Sequence, residues 1–259
     1  MERSQILAFD VETYPDANLV EATHGIGLAD FRKDLKARTG SDFLPQIYHI
    51  PIAIAYLRTD TSFREVCVEV HTGTLPEEQS LVERFWRHCD SVFGAAGSSE
   101  QGGLLVSFNG AEFDVPVLEV RALKYALRAN PRARDPRFHF DVPLFLANAQ
   151  LTRNRGLHLA TLAKLIGLPG KAMLDGSQVQ SQFELGLLSE IGKYCLLDVL
   201  QTYLLFLRCQ VLQGLSFVEY RGAVRSLGDF LSTSTDPNVV GASVYLESAL
   251  RAARAESAR

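Results

Sequence analysis

Two carboxylates end an otherwise apolar stretch near the N-terminus. The segment ILAFDVETYP places Asp10 and Glu12 after four apolar residues that suit a buried strand. Side chains alternate between the two faces of a strand, so Asp10 and Glu12 share one face with Ile6 and Ala8. Two acids on one face repel each other and resist transfer out of water, so they require a compensating partner.

Two further acids lie beside apolar segments. Asp114, in VSFNGAEFDVPVL, stands where a strand ends and a helix begins. An Asp at this point can serve only as a helix N-cap, with Pro116 in the first turn. Asp198, in YCLLDVLQTYLLF, follows Tyr194 by four residues and shares its helix face. Its neighbours are apolar, so this carboxylate requires a salt bridge with an arginine, a proton or a metal ion.

One arrangement satisfies all four acids together. If Asp10, Glu12, Asp114 and Asp198 converge on one cleft, divalent cations cancel their repulsion. Carboxylate oxygens are hard ligands that suit Mg²⁺ or Mn²⁺. The sequence therefore predicts that Asp10 and Glu12 are metal ligands.

Hydrophobic periodicity predicts the elements that must position these acids. We expect strands at ILAFDVET, PIAIAYLR, REVCVEVHT and LLVSFNG, with the second and third paired as a meander, and a short strand or extended segment at FHFDVPLF. We expect helices at PEEQSLVERFWRHCDSVF, at VPVLEVRALKYALRA before Pro131, at LHLATLAKLIG and at LSEIGKYCLLDVLQTYLLFLRCQVL. This order predicts an α/β fold, a mixed β-sheet with helices packed on it.

We expect one domain with three less regular regions. Residues 1–215 form its main body, and residues 15–50 are a mixed insertion between the first two strands, with a helix near LADFRKDLKAR. The composition of residues 94–103 is typical of a flexible linker. Residues 216–259 are expected to be a helical extension of the same domain.

Composition indicates an ordinary globular protein. The 259 residues are 47% hydrophobic and 22% charged, which allows a sizeable core. No run approaches 18 apolar residues and the N-terminus lacks a signal-peptide pattern, so we expect a cytoplasmic protein without a membrane span. The four cysteines show no zinc-like spacing and are expected to be free thiols: Cys67, Cys89, Cys195 and Cys209.

Charge is unevenly distributed. The net charge of -4 argues weakly against a nucleic-acid binder. One segment nevertheless contains eight basic and two acidic side chains, an excess of +6: Arg121, Lys124, Arg128, Arg132, Arg134, Arg137, Arg153 and Arg155 against Asp135 and Asp141. This excess predicts either an electrostatic footprint for phosphates or a solvated helix face and loop.

The acidic motifs resemble those of the DEDD exonucleases, 3'→5' exonucleases of ribonuclease H-like fold. FDVET resembles their first motif, D-x-E. NGAEFDVP resembles the second, in the form seen in proofreading domains of family-B DNA polymerases, and YCLLD resembles the third, Y-x-x-x-D. The tyrosine defines the DEDDy subgroup, whereas the other subgroup carries His where this sequence has Lys193. The resemblance covers roughly residues 5–210, and LIGLPGKAMLDGSQV further resembles a bacterial group of stand-alone exonucleases related to that proofreading domain.

The resemblance implies a two-metal hydrolysis of phosphodiester bonds on a ribonuclease H-like mixed sheet. The family holds two Mg²⁺ or Mn²⁺ ions about 3.5–4 Å apart. By analogy, Asp10 would bridge the ions, and Glu12 and Asp198 would complete the site of the nucleophilic water. Asp114 would hold the second ion, and Tyr194 would hydrogen-bond the attacking water.

Five residues are candidates for substrate contact. Asn109 and Phe113 match family positions that touch the terminal nucleotide, by a hydrogen bond and by stacking. The alternatives are a turn asparagine before Gly110 and an ordinary core phenylalanine. The other candidates are Thr13, next to the first motif, and Arg128 and Arg132 in the basic segment.

The predicted activity is 3'→5' degradation of single-stranded DNA or RNA ends, with DNA favoured, releasing nucleoside 5'-monophosphates. Such an enzyme would act in DNA repair or proofreading. Two alternatives remain open: a catalytically idle nucleic-acid-binding module, and a subunit whose C-terminal helices dock a polymerase, a helicase or a second copy. Every motif acid is present, which favours the enzyme over the idle module.

Overall fold

The computed structural model describes residues 5–94, 102–147, 157–170 and 178–255. The strands are β1 (Gln5–Pro15), β2 (His49–Asp60), β3 (Cys67–Thr72), β4 (Leu104–Ser107) and β5 (His139–Asp141). The helices are α1 (Ala17–His24), α2 (Leu28–Thr39), α3 (Glu78–Phe93), α4 (Asp114–Lys124), α5 (Val142–Ala147), α6 (Leu159–Leu165), α7 (Val179–Glu184), α8 (Leu188–Leu212), α9 (Phe217–Thr233) and α10 (Pro237–Ala255). Most of the expected linker at 94–103, together with Arg153 and Arg155, lies outside the described residues.

The five strands form one mixed sheet in the order β3-β2-β1-β4-β5. β1, β2 and β3 pair antiparallel, which includes the predicted pairing of β2 with β3, and β4 and β5 continue the sheet parallel to β1. This is the ribonuclease H-like α/β arrangement expected from the sequence. Since β1, β4 and β5 run in the same direction, their carboxyl ends meet at one edge of the sheet.

The alternation of side chains along β1 builds two different cores. Leu7 and Phe9 join an apolar cluster with α3 and α4 on one face. Ile6 and Ala8 point to the other face, where they pack against α8. Asp10 and Glu12 continue the second series, so the face that α8 covers becomes acidic where β1 ends.

α8 is the central helix of the fold and is buried along most of its length. Small side chains of the sheet, Ala8, Ala53 and Ala55, belong to the cluster beneath it, and α9 and α10 contribute Leu227 and Leu246 to the same cluster. Within the described residues, α8 has the length and composition to cross a membrane, and 78% of its most apolar 18-residue window is buried inside the fold. These contacts explain why its sequence is apolar nearly all round.

Several elements differ from the sequence expectation. The insertion contains two helices rather than one, because Asp16 caps α1 by accepting a hydrogen bond from the Leu19 amide at 3.0 Å. α4 ends at Lys124 rather than Ala129, and Ala126 adopts a left-handed φ of 52° that stops the helix. FHFDVPLF contains the expected short strand, but α5, which was not expected, begins directly after it. The short helix α7 was not expected, because its six residues show no clear hydrophobic periodicity.

Candidate active site

Three of the predicted metal ligands meet at the end of β1. The carboxylate oxygens of Asp10, Glu12 and Asp198 lie within 4.8 Å of one another. Asp10 and Glu12 face α8 because they continue the inward series of β1, and Asp198 lies on the facing side of that helix. The Cys195 thiol donates a hydrogen bond to the Asp10 carbonyl at 3.3 Å and ties α8 to the strand.

Asp114 adds a fourth carboxylate outside this closest group. It begins α4 and its side chain is buried, with 5% of its surface exposed. The N-cap of α4 is Phe113, and no side chain caps the helix there, so the interpretation of Asp114 as an N-cap is wrong. Gly110 permits its close packing, since a Cβ at that position would stand 2.9 Å from Asp114 Oδ2.

Burial raises the pKa of two carboxyl groups in the site above the values they would have in water. Burial raises the pKa of the Asp10 carboxyl from 3.8 to about 6, although hydrogen bonds from Cys195 and Val11 oppose the shift. Burial, with the charges of Asp10 and Asp141, raises the pKa of Asp114 well above its usual range. Burial therefore favours the protonated form of both Asp10 and Asp114.

Tyr194 lies beside these acids and stays protonated at neutral pH. Its side chain is buried, and burial together with the charges of Asp198, Glu12 and Asp10 raises the pKa of the phenol above its ordinary value. A neutral phenol can donate a hydrogen bond to a water or accept one from it. It cannot act as a base near pH 7.

A buried polar network supports the turn that carries Asp114. Ser107 Oγ lies 2.7 Å from His139 Nε2 and 3.1 Å from Asp141 Oδ2. Asp141 also accepts a hydrogen bond from the Ala111 amide at 3.0 Å, and Ser107 accepts one from the Gly110 amide at 3.2 Å. From the sequence, Asp141 contributed only its charge to the basic segment. Its position at the end of an apolar strand, like that of Asp10, was the signal that could have identified it.

Two clefts flank the acids. A cleft of about 370 Å³ is lined by Asp10, Asp198, Asn109, Phe108, Pro143 and His158, among others. A second, of about 510 Å³, is lined by residues that include Glu12, Thr13, Arg32, Phe43, His49 and Phe113. The carboxylates thus border both clefts.

The structure brings three predicted substrate residues to these clefts. Asn109 has a left-handed φ of 66° and an exposed side chain, so it is a turn residue and also presents its amide to the first cleft. Phe113 is half-buried, with its ring 5.3 Å from that of Phe43 and 4.9 Å from that of His49. Thr13 Oγ1 lies 2.8 Å from His49 Nδ1.

Arg128 and Arg132 are not brought to the acids. Arg132 donates a hydrogen bond to the Phe93 carbonyl, and its guanidinium lies 5.1 Å from the Phe138 ring centroid. Phe138 precedes β5, so Arg132 lies near the amino ends of β4 and β5, at the edge opposite the acids. Arg128 follows α4 in the same region.

The basic segment is largely paired within the fold. Arg121 is buried against Asp16 at 2.8 Å, and Lys124 lies 2.7 Å from Glu78. Arg134 pairs with Glu119, and Arg137 pairs with Asp135 at 2.6 Å. The local excess of +6 counted no acids from outside the segment, and this is why it overstated the free positive charge.

The insertion supplies cleft residues that sequence reasoning missed. Arg32, on α2, and Phe43 line the second cleft beside Glu12. Within the part of the chain that the structure describes, Arg32 Nε is buried without a hydrogen-bond partner. No spacing in the sequence links either residue to Glu12, so only the fold reveals them.

Comparison with known protein families agrees with this geometry. Residues 41–247 match a family described as a predicted 3'-5' exonuclease related to the exonuclease domain of PolB. The chain belongs to this family of 3'→5' exonucleases. The matched range contains Asp114, Tyr194 and Asp198, whereas Asp10 and Glu12 precede it. The structure, rather than the family match, brings Asp10 and Glu12 of the first acidic motif close to Asp198.

Solved structures similar to this exonuclease include two forms of exonuclease I. The E. coli enzyme in complex with a 5cy-dT13 oligonucleotide is 17% identical, with a TM-score of 0.37 over 80% of this chain and 43% of that one. A moderately thermophilic exonuclease I from Methylocaldum szegediense is 14% identical, with a TM-score of 0.38 over 89% and 46%. The chain spans less than half the length of both structures. Comparison with curated proteins gives no match.

Proposed function

We propose that this exonuclease removes nucleotides from the 3' ends of single-stranded nucleic acid, DNA in preference to RNA, by metal-dependent hydrolysis. The products are nucleoside 5'-monophosphates. The observation that supports this most is the group formed by Asp10, Glu12 and Asp198, which stands between two clefts beside the neutral Tyr194. The preference for DNA rests on the resemblance to proofreading domains.

The donor set fits two divalent cations. All the converging ligand atoms are carboxylate oxygens, which Mg²⁺ and Mn²⁺ prefer, and a bound cation would oppose the rise that burial causes in the pKa of Asp10 and of Asp114. Asp10, Glu12 and Asp198 would hold one ion, and Asp10 and Asp114 the other. When bound, such ions activate water and stabilise the charge on the leaving oxygen.

A side chain of the protein itself can position the attacking water. Tyr194 is protonated and lies beside Asp198, so it can hold the attacking water by a hydrogen bond. The water oxygen forms a bond with the last phosphorus as the bond to the preceding O3' breaks. The water loses a proton to solvent and the freed O3' gains one, which leaves a shortened strand and a 5'-monophosphate.

The two clefts hold the strand across the acids. Phe43 and Phe113 present ring surface in the second cleft, and each base stacked on an aromatic side chain gains about 1–3 kcal/mol. Arg32 offers a guanidinium, a group suited to phosphate oxygens, in the same cleft. Asn109 offers its amide on the other side of the acids.

A time course with the full chain tests this proposal. Matched 5'-labelled DNA and RNA oligonucleotides should shorten as a descending ladder in Mg²⁺ or Mn²⁺, with DNA degraded faster. Excess chelator should stop the reaction. Immediate release of a labelled mononucleotide would contradict the polarity, and full activity in chelator would contradict the metal requirement. A chain that is inactive alone and active with a polymerase or helicase would support the subunit alternative.

A further inference from the structure

A second group of metal-ligating side chains lies on the opposite face of the sheet. Glu69 and His71, two residues apart, project from one side of β3, and His88 projects from α3. Glu69 Oε2 lies 3.3 Å from His71 Nε2 and 3.7 Å from His88 Nε2. The three donor atoms all fall within 4.8 Å of one another.

Regular structure holds these side chains in place. Glu69 is the cross-strand partner of Tyr56, which is buried in the apolar cluster that contains α3. The His88 ring packs on the Tyr56 ring with centroids 4.3 Å apart, and the His71 ring lies 6.0 Å from it. The group therefore belongs to the α3 face, whereas Asp10 and Asp198 belong to the α8 face.

The donor types differ from those of the acid cluster. Two imidazoles and one carboxylate suit Zn²⁺ and related transition metals, which often take three protein ligands and one water. A ligating imidazole must be neutral, and burial lowers the pKa of both His71 and His88, although Glu69 opposes the shift. Cys67, the next residue on the same side of β3, places its Sγ 3.9 Å from Glu69 Oε1.

Two arginines, Arg58 and Arg84, lie near this group. Arg58 Nη2 lies 4.0 Å from Glu69 Oε1, whereas the contacts to the two histidines are made by Oε2. Arg84 also acts on both imidazoles and favours their neutral form. Glu69 Oε2 remains directed at the two ring nitrogens. The side chains keep partial access to solvent, with exposed fractions of 24% for His71, 34% for Glu69 and 14% for His88.

We propose that Glu69, His71 and His88 bind a transition-metal ion of the zinc class. The ion joins the edge strand β3 to α3 and is separate from the ions that the exonuclease uses for hydrolysis. Its ligands come from two elements of one face, so it ties the edge of the sheet to the helix that covers it.

The test measures zinc binding by the full chain after chelator stripping. Zinc content is measured by atomic spectrometry, and affinity by competition with a chromophoric chelator. His71→Ala/His88→Ala should lose about one zinc ion per chain, with affinity at that site at least about 10-fold weaker, and keep manganese-dependent cleavage. Asp10→Asn/Glu12→Gln should lose cleavage and keep this zinc. Glu83→Gln removes a carboxylate of α3 that is not one of the proposed ligands, and this variant should match wild type in zinc content and affinity.

Two results would overturn the proposal. One is equal zinc content and affinity in wild type and His71→Ala/His88→Ala. The other is loss of all zinc in Asp10→Asn/Glu12→Gln. If the double histidine variant fails to fold, Glu69→Gln preserves shape and the readout becomes the zinc-induced rise in melting temperature. That rise should shrink, and an unchanged rise would refute the site.

Discussion

Asp198 is a carboxylate on a helix whose other residues are mostly buried and apolar. Asp198→Asn keeps its volume and removes one of the converging charges. We expect it to abolish cleavage, to leave the metal-free protein at least as stable as wild type, and to reduce the manganese-induced rise in melting temperature. The reason is relief of repulsion with Asp10 and Glu12. Thermal melts with manganese and with chelator measure both effects.

The salt-bridge interpretation of Asp198 predicts a different outcome. A buried arginine left without its partner would cost about 3–5 kcal/mol of stability. A variant that is strongly destabilised without metal and still cleaves would therefore exclude Asp198 as a ligand. Asp34→Asn, on the exposed surface of α2, is the matched control and should change neither property.

Gly110 is the residue on which the turn before Asp114 depends. In Gly110→Ala the new Cβ would lie 2.7 Å from Ser107 Cβ and 2.9 Å from Asp114 Oδ2, so the buried network must shift. We expect a loss of about 1–3 kcal/mol and reduced cleavage. Gly222→Ala, on α9 in open space, should instead gain about 0.5–1 kcal/mol. Urea unfolding compares the two, and equal effects would contradict the packing argument.

At the residue scale, local periodicity identified the acids and missed their supports. Strand alternation placed Asp10 and Glu12 on one face, and helical spacing placed Tyr194 beside Asp198. His139 and Phe43 carry no such local signal, because their contacts to Ser107 and Phe113 join distant parts of the chain. The roles of all these residues in catalysis stay predictions until variants are measured.

The insertion at residues 15–50 contributes an aromatic side chain to the second cleft. Phe43 lies on it with 62% of its surface exposed, beside Phe113. Phe43→Ala should raise KM by about 5–100-fold with little change in kcat, since it removes stacking surface and leaves the acids intact. Phe217, on α9, is equally exposed at 62%, so Phe217→Ala is the matched control. Steady-state kinetics in which both variants shift KM alike would argue against a stacking role.

A buried ion pair joins this insertion to α4. Arg121 donates to Asp16 Oδ2 at 2.8 Å and to the His49 carbonyl at 2.7 Å. Arg121→Gln leaves Asp16 without its partner, and we expect a loss of about 3–5 kcal/mol. Arg137→Gln removes an exposed pair and should cost far less stability, because water screens such pairs. Chemical denaturation of the two variants measures the difference, and similar losses would contradict the structural role of Arg121.

Elements differ in how well the sequence specified them. α8 has the predicted bounds, because a long apolar helix has few alternatives before Gly214 stops it. The local excess of +6 overstated the charge of the basic segment, because acids that pair with it come from α3, from the middle of α4 and from the residue before α1. We propose that α9 and α10 extend the same domain, as their buried side chains join the cluster around α8.

The stability of the whole molecule should depend on pH through the acid cluster. The folded protein holds the Asp10 proton with a pKa of about 6 against 3.8 for the free group, so between these values it binds more protons than the unfolded chain. The free energy of unfolding of metal-free protein should therefore fall as pH rises from about 4 to about 6. Asp10 is only half-buried, so its share is at most about 3 kcal/mol.

Asp10→Asn isolates this contribution. Without metal, its unfolding free energy should vary less between pH 4 and 7 than that of wild type, measured by urea titration. Manganese added at pH 7 should raise the unfolding free energy of the wild-type protein more than that of the variant. Parallel pH profiles for the two proteins would show that Asp10 is not the titrating group.

The separation of Asp10 and Asp198 along the chain also determines when the candidate site can form during synthesis. The thiol of Cys195 reaches the Asp10 carbonyl across 185 positions, so Asp10 and Asp198 can meet only after α8 has been made. A nascent chain still attached to the ribosome before α8 emerges carries at most three of the four acids. Premature termination before that helix would release a fragment that lacks Asp198, and we expect such a fragment to be unable to cleave nucleic acid.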